Sequence, residues 1–201
     1  DSVLKEFGIT GRYAMFVGRI TRQKGLAHLL RAWRDVPAEY GLVLAAGSPD
    51  EPTIGNEVAE LIAELQKTRS NVWWIKEMLP HDKLTAGLTH ADLFLCPSIY
   101  EPLGIVNLEA MGCETAVLAS RVGGIPEVVS HESTGELVDY TENDIPKFEA
   151  AISAAITRLM ANPELLTQYG KAGRQRAISE FGWDAVAATT LALYQSVINK
   201  R

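Results

Sequence analysis

Short, almost wholly apolar runs alternate along this chain with stretches whose apolar residues recur at intervals of three and four. Residues 13–17 (YAMFV) end at Gly18, and Leu26, Leu29, Leu30 and Trp33 then mark one face of a helix. Residues 42–46 (LVLAA) end at Gly47; a turn at Pro49 and Asp50 leads into Val58, Leu61, Ile62 and Leu65, again at helical spacing, before residues 72–75 (VWWI) begin a third strand. Residues 93–96 (LFLC) and 116–119 (AVLA) repeat the unit after helices near residues 83–89 and around Glu109, and a short sixth strand is placed at residues 136–138. A strand that is apolar on both faces must be covered on both faces, so helices lie on each side of a parallel sheet. The pattern predicts a doubly wound α/β domain. From Pro146 onward only the helical period remains, with Pro163 opening one helix and Gly182 preceding the last, residues 183–198.

With 201 residues the chain can bury a full core, about 70% of its unfolded surface. Its formal charge of -6, without a basic run, argues against nucleic acid or an anionic membrane as partner. No apolar stretch approaches membrane-spanning length, and the first residues, DSVLKEFGI, lack the charged and apolar regions of a leader. Cys96 and Cys113 stand alone in apolar surroundings with no CxxC pair, which suits a reducing compartment. A cytoplasmic protein is expected. The histidines (His28, His81, His90, His131) are scattered and read as helix surface or loop; no metal site and no cofactor are expected from their spacing. Trp73 and Trp74 read as strand core.

In such a sheet ligands bind outside the carboxyl ends of the strands, so the loops after strands one, four and five are the places to look. After the first comes GRITRQKG, residues 18–25, where Arg19 and Lys24 bracket a glycine-bounded turn at a helix start. Two cations there suit a diphosphate, since charge-assisted bonds and the helix dipole both favour the anion. Spacing alone leaves open that they are two solvated surface charges. The loop lacks GxxxxGK[ST], and the absence of GxGxxG counts against a dinucleotide fold.

After the fourth strand comes PSIYEPLGIVNLEA. Pro97 and Pro102 keep the segment extended, Gly104 lets backbone approach a ligand, and Ile105 starts a helix. Glu101 lies in the loop, and Glu109 about a turn inside a mostly apolar helix, where an ionised carboxylate needs partners unless it reaches solvent or a cleft. Vicinal sugar hydroxyls would serve, one glutamate holding a ribose and the other a hexose while amides near Gly104 face phosphate. Taken without a family, the alternative of two solvated glutamates carries equal weight.

The spacing of Glu101 and Glu109, with GRITRQKG upstream and GGIPEVV at residues 123–129 downstream, resembles the C-terminal domain of GT-B retaining glycosyltransferases of family 4. LCPSIYEPLGIVNLEAMGC and IKEMLP look most like the bacterial glycogen synthase branch that includes α-maltose-1-phosphate synthases. The resemblance covers nearly the whole chain. It implies a Rossmann-like nucleotide-sugar-binding domain over residues 1–180 and a C-terminal helix, residues 181–201, that packs across to a missing N-terminal domain. It further implies that Arg19 and Lys24 bind the donor diphosphate and offset charge on the leaving group, and that Glu101 contacts the donor hexose. Amides of Leu103, Gly104, Ile105 and Val106 would face sugar and phosphate, Glu109 would hold the ribose, and backbone near Met78 and Leu79 would meet the base. The donor it points to is ADP-glucose, with UDP-glucose or GDP-mannose, or a non-catalytic nucleotide-binding module, as alternatives. The acceptor, a glucan or glucose 1-phosphate, would come through the missing domain, so transfer by this chain alone is not expected.

The chain departs from the family in places. Glu114 stands where a glycine is usual, and His131, Glu132 and Glu136 stand where relatives commonly carry Asp, Gly and an apolar residue. These positions read as turn and sheet edge. Gly123 and Gly124 read either as a tight turn before Pro126 or, by the resemblance, as a loop near the cleft.

Overall fold

The computed structural model describes residues 2–199. Six strands form one sheet: β1 (Tyr13–Ile20), β2 (Gly41–Pro49), β3 (Val72–Ile75), β4 (Leu93–Cys96), β5 (Ala116–Ser120) and β6 (Gly135–Val138). Their order is β3-β2-β1-β4-β5-β6 and every pairing is parallel. The helices between them are α2 (Leu26–Ala32), α3 (Pro52–Gln66), α4 (His81–His90), α5 (Ile105–Gly112) and α6 (Ile125–Val128). A short α1 (Ser2–Glu6) precedes β1, and α7 (Ile145–Met160), α8 (Pro163–Phe181) and α9 (Trp183–Ile198) follow β6.

The strands are apolar throughout because alternate residues feed two separate cores. Ala14, Phe16, Leu42, Leu44, Leu93, Leu95, Ala116 and Leu118 point to one face, where α2, α3 and α7 cover them through residues such as Leu30, Ile62 and Ile156. Tyr13, Met15, Val43, Phe94 and Val117 point to the other, against Leu88 of α4, Met111 of α5 and Val128 of α6. Each buried leucine or phenylalanine contributes about 1.5 to 3 kcal/mol, so a one-residue slip in any central strand would misplace both layers at once. Trp73 and Trp74, half-buried on edge strand β3, pack on opposite faces, and the Trp74 indole donates to the Ala46 carbonyl at 3.0 Å. The helix α8 passes from one core to the other, burying Leu166 and Tyr169 on the first and resting Ala177 and Phe181 on the second.

Three expectations need correction. Strand β1 does not end at Gly18: Gly18 and Arg19 still pair with Ala46 and Gly47 of β2, so Arg19 sits on the end of a strand and not in a helix-starting loop. GGIPEVV contains a short helix, α6, with Gly124 at its N-cap and Pro126 in its first turn. His28 is not a solvated helix-surface residue; its Nδ1 lies 2.8 Å from a Glu149 carboxylate oxygen, and its ring meets Phe148 edge-on at the α2–α7 contact.

The departures from the family have a backbone meaning. The non-glycine residues with positive φ among the described residues are Glu114 (φ 61) and Glu132 (φ 60), the two positions where the resemblance leads glycine to be expected. Glu136 lies on edge strand β6 as expected, yet it is buried, and Arg158 of α7 pairs with it in bidentate fashion.

Candidate nucleotide-sugar site

The strand order reverses direction between β1 and β4, and the chain leaves these two strands toward opposite faces of the sheet. A crevice therefore opens at their carboxyl ends. It has two compartments that share Val17 as a wall.

The larger is a cleft of about 440 Å³ lined by Val17, Gly18 and Arg19 of β1, Ala45, Gly47 and Ser48 of β2, residues 76–79 after β3, and Leu84 of α4. Of the residues expected to meet a base, Leu79 is half-buried in its wall and Met78 is 90% exposed at its rim. The walls contributed by Val17, Ala45, Leu79 and Leu84 are apolar, while Ser48, Glu77 and backbone groups supply polar edges, a composition suited to a flat heterocycle. Arg19 is exposed and its side chain, among the described residues, makes no hydrogen bond or ion pair. Its guanidinium is free for an anion entering the cleft.

The smaller compartment is nearly closed, about 10 Å³, and holds Lys24, Cys96, Ser98, Glu101, Gly104 and Asn107. Here Lys24 Nζ donates to Glu101 Oε2 at 2.6 Å, with the two side chains 29% and 10% exposed. The Ser98 hydroxyl donates to the same oxygen at 3.3 Å. Glu101 is thus a buried, ion-paired carboxylate, not a solvated loop residue. Burial pushes the neighbouring Cys96 thiol upward, which keeps it protonated and unreactive beside this charge.

Local chemistry explains how these side chains converge. Gly25 caps α2 in the left-handed conformation, and a Cβ there would lie 1.9 Å from the Pro97 carbonyl oxygen, so only glycine lets the Lys24 turn lie against the loop after β4. The Gln23 carbonyl accepts from the Ile99 amide at 2.8 Å across the same contact. From the other side, the Gly124 amide donates to the Glu101 carbonyl at 3.0 Å, and a Cβ at Gly123 would lie 2.0 Å from that oxygen. GGIP is therefore a tight turn, closed by the Ile125 amide donating to the Val122 carbonyl at 3.1 Å, that also braces Glu101 from behind.

Gly104 (φ 83) is the N-cap of α5, which leaves the amides of residues 105 and 106 at the start of that helix without intrahelical partners. Leu103 and Ile105 are exposed, at 37% and 63%, and Val106 is half-buried. Glu109 is half-buried one turn further along α5, and its carboxylate makes no hydrogen bond or ion pair among the described residues. Asn107 is fully buried with neither side-chain polar atom hydrogen-bonded. Arg19, Lys24, Glu101 and the start of α5 are thus brought to one crevice. Sequence reasoning missed Ser48, Lys76, Glu77 and Ser98; the carboxyl ends of β2, β3 and β4 were the signal, since every strand end facing the crevice contributes to it. Among the described residues no group of three His, Cys, Asp or Glu could hold a metal ion.

A guanidinium without a partner, an open helix start and two carboxylates around a switch-point cleft make an α/β domain whose chemistry suits a phosphate-bearing polyhydroxylated ligand. Residues 5–176 match the family described as Glycosyl transferases group 1, and the chain belongs to it. It is 50% identical over 199 residues to the alpha-maltose-1-phosphate synthase of Mycolicibacterium smegmatis, covering 98% of this chain and 51% of that protein. Among solved structures, the sucrose-phosphate synthase of Thermosynechococcus elongatus superposes with a TM-score of 0.78 at 30% identity over 100% of this chain and 49% of that one. Anabaena Alr3699/HepE in complex with UDP-glucose gives 0.81 at 20% identity, over 97% and 52%. The fold is that of the C-terminal half of a GT-B transferase, and the chain spans about half the length of the curated relatives it matches.

Proposed function

We propose that this chain is the donor-binding domain of a retaining glucosyltransferase that takes glucose from ADP-glucose in α-1,4-glucan or maltose 1-phosphate synthesis. The observation that carries the reading is the half-identity to an alpha-maltose-1-phosphate synthase across nearly the whole chain, with Arg19, Lys24 and Glu101 lining the switch-point crevice and Glu109 one turn into α5. In this reading the base enters the 440 Å³ cleft beside Leu79 and Met78. Glu109 accepts from the ribose hydroxyls. Arg19 and Lys24 bind the diphosphate, and the amides of residues 103–106 face phosphate and hexose. Glu101 accepts from the hexose hydroxyls and orients the anomeric carbon.

Mechanistically, the domain stabilises the departing nucleoside diphosphate. Charge grows on its β-phosphate as the glycosidic bond breaks, and the Arg19 guanidinium and Lys24 ammonium oppose that charge. Each such charge-assisted bond contributes about 1.5 to 3 kcal/mol. Glu101 is a positioner here, not a general acid. The acceptor, a glucan or glucose 1-phosphate, is supplied from a partner domain. The exposed row on α9, including Trp183, Leu191, Tyr194 and Ile198, is the surface that would meet it, with residues 1–180 as the donor-binding unit. No helix among the described residues is long and apolar enough to cross a membrane, in keeping with a cytoplasmic enzyme.

Calorimetric titration with ADP-glucose, UDP-glucose, GDP-mannose and NAD, repeated on Glu109→Ala, tests this. Saturable binding of ADP-glucose ahead of the others, weakened in the variant, is expected. Preference for another sugar nucleotide would replace the donor, and preference for NAD would overturn the transferase reading.

A further inference from the structure

We propose that the Lys24–Glu101 ion pair makes this site discriminate a nucleotide sugar from the bare nucleoside diphosphate that is left after transfer. The inference rests on the donor-site reading above and goes beyond it. The two cations assigned to the diphosphate are in different states: the Arg19 side chain is exposed without a partner among the described residues, whereas Lys24 is committed to Glu101 at 2.6 Å. An arriving diphosphate can take Arg19 without loss. To gain Lys24 it must take that cation from Glu101.

What remains after such an exchange depends on the ligand. Glu101 is 8% exposed, its backbone is braced by Gly124, and its remaining side-chain partner is the Ser98 hydroxyl at 3.3 Å. A buried carboxylate stripped of its cation and left with one long hydrogen bond is costly, and the neighbouring diphosphate adds repulsion. A hexose offsets this loss, because two vicinal hydroxyls donate to the two carboxylate oxygens. A nucleoside diphosphate carries no hydroxyl to that position. The ion pair therefore resists the product and admits the donor, which both sharpens donor selection and speeds product departure.

The test compares ADP and ADP-glucose, with UDP and UDP-glucose alongside, on the unaltered chain and on Glu101→Gln. The amide keeps the volume and can still accept from Ser98, but without the negative charge it holds Lys24 far more weakly. Glu101→Gln is expected to bind ADP more tightly, by roughly threefold or more, the scale of a partly screened ion pair, while binding ADP-glucose more weakly. General damage to the site cannot move the two ligands in opposite directions. Glu101→Asp, which withdraws the carboxylate by one methylene, is expected to shift ADP affinity the same way by less and serves if the glutamine variant does not fold. If the unaltered chain binds the nucleotide sugars but neither variant gains affinity for ADP or UDP, the discriminator is refuted while the donor site stands. If the unaltered chain binds no nucleotide sugar, the donor-site reading has failed, and the discriminator with it.

Discussion

Replacing Gly25 by alanine tests how the two halves of the site are held together, and Gly8 supplies its control. Both glycines are left-handed, with φ of +65 and +63. A Cβ at Gly8 meets nothing within 4 Å, whereas at Gly25 it would lie 1.9 Å from the Pro97 carbonyl oxygen and 2.8 Å from its carbon. Gly8→Ala therefore carries only the left-handed penalty, about 1 to 2 kcal/mol. Gly25→Ala carries the same penalty and must also part the two loops by more than an ångström. That parting weakens the bonds from the Ile99 and Tyr100 amides to the Gln23 carbonyl, each contributing about 1 kcal/mol. The difference between the variants is expected to be about 2 kcal/mol by urea denaturation at equal m-values. Lys24 moves with its loop, so the folded Gly25→Ala protein should also bind ADP-glucose more weakly than Gly8→Ala. Variants equal in stability within about 0.5 kcal/mol, or equal in donor affinity, would refute this account of the loop contact.

The Tyr13 hydroxyl donates to the Gly87 carbonyl at 2.7 Å, and burial first, with Asp92 second, pushes its phenol well above the ordinary value. The folded state keeps this proton when the unfolded chain releases it, so the contribution is intact below about pH 10 and declines as pH rises above it. Tyr13→Phe should cost about 1 kcal/mol at neutral pH and lose less than the parent between about pH 9 and 11; parallel losses in urea midpoints would contradict this. Glu132→Gly relieves a positive φ and should stabilise by about 0.5 to 1 kcal/mol in the same assay, a loss being the contrary result. Leu191→Ala and Tyr194→Ala, at 57% and 62% exposure, should change stability by less than about 0.5 kcal/mol; a cost like that of a core leucine would show α9 to be part of this domain's core.

The sheet was legible because parallel strands buried on both faces read as unbroken apolar runs, and the last helix emerged with the bounds Trp183–Ile198 because Gly182 marks its start. Strand ends were less legible. Pairing with β2 carries β1 through Gly18 and Arg19, where hydrophobicity has already stopped, so the cation was assigned to a loop. The short helices α1 and α6 lie below the length at which a period can be read. At the site, spacing singled out Arg19, Lys24, Glu101 and Glu109 as candidates but could not show that Lys24 and Glu101 bond to each other. They are 77 residues apart, and only the left-handed turn at Gly25 and the brace at Gly124 bring them together. The pairs of His28 with Glu149 and Glu136 with Arg158 escaped for the same reason: a period reports which residues are buried, not which polar groups meet.

The central claim is that loops at the carboxyl ends of β1, β3 and β4 together form one nucleotide-sugar site. Amide hydrogen exchange of the chain with and without saturating ADP-glucose tests it most directly. The account predicts added protection confined to residues 18–25, 76–79 and 98–109, with α9 and the β6 edge unchanged. Protection that spares the first and third of these segments, or falls mainly on α9, would contradict it.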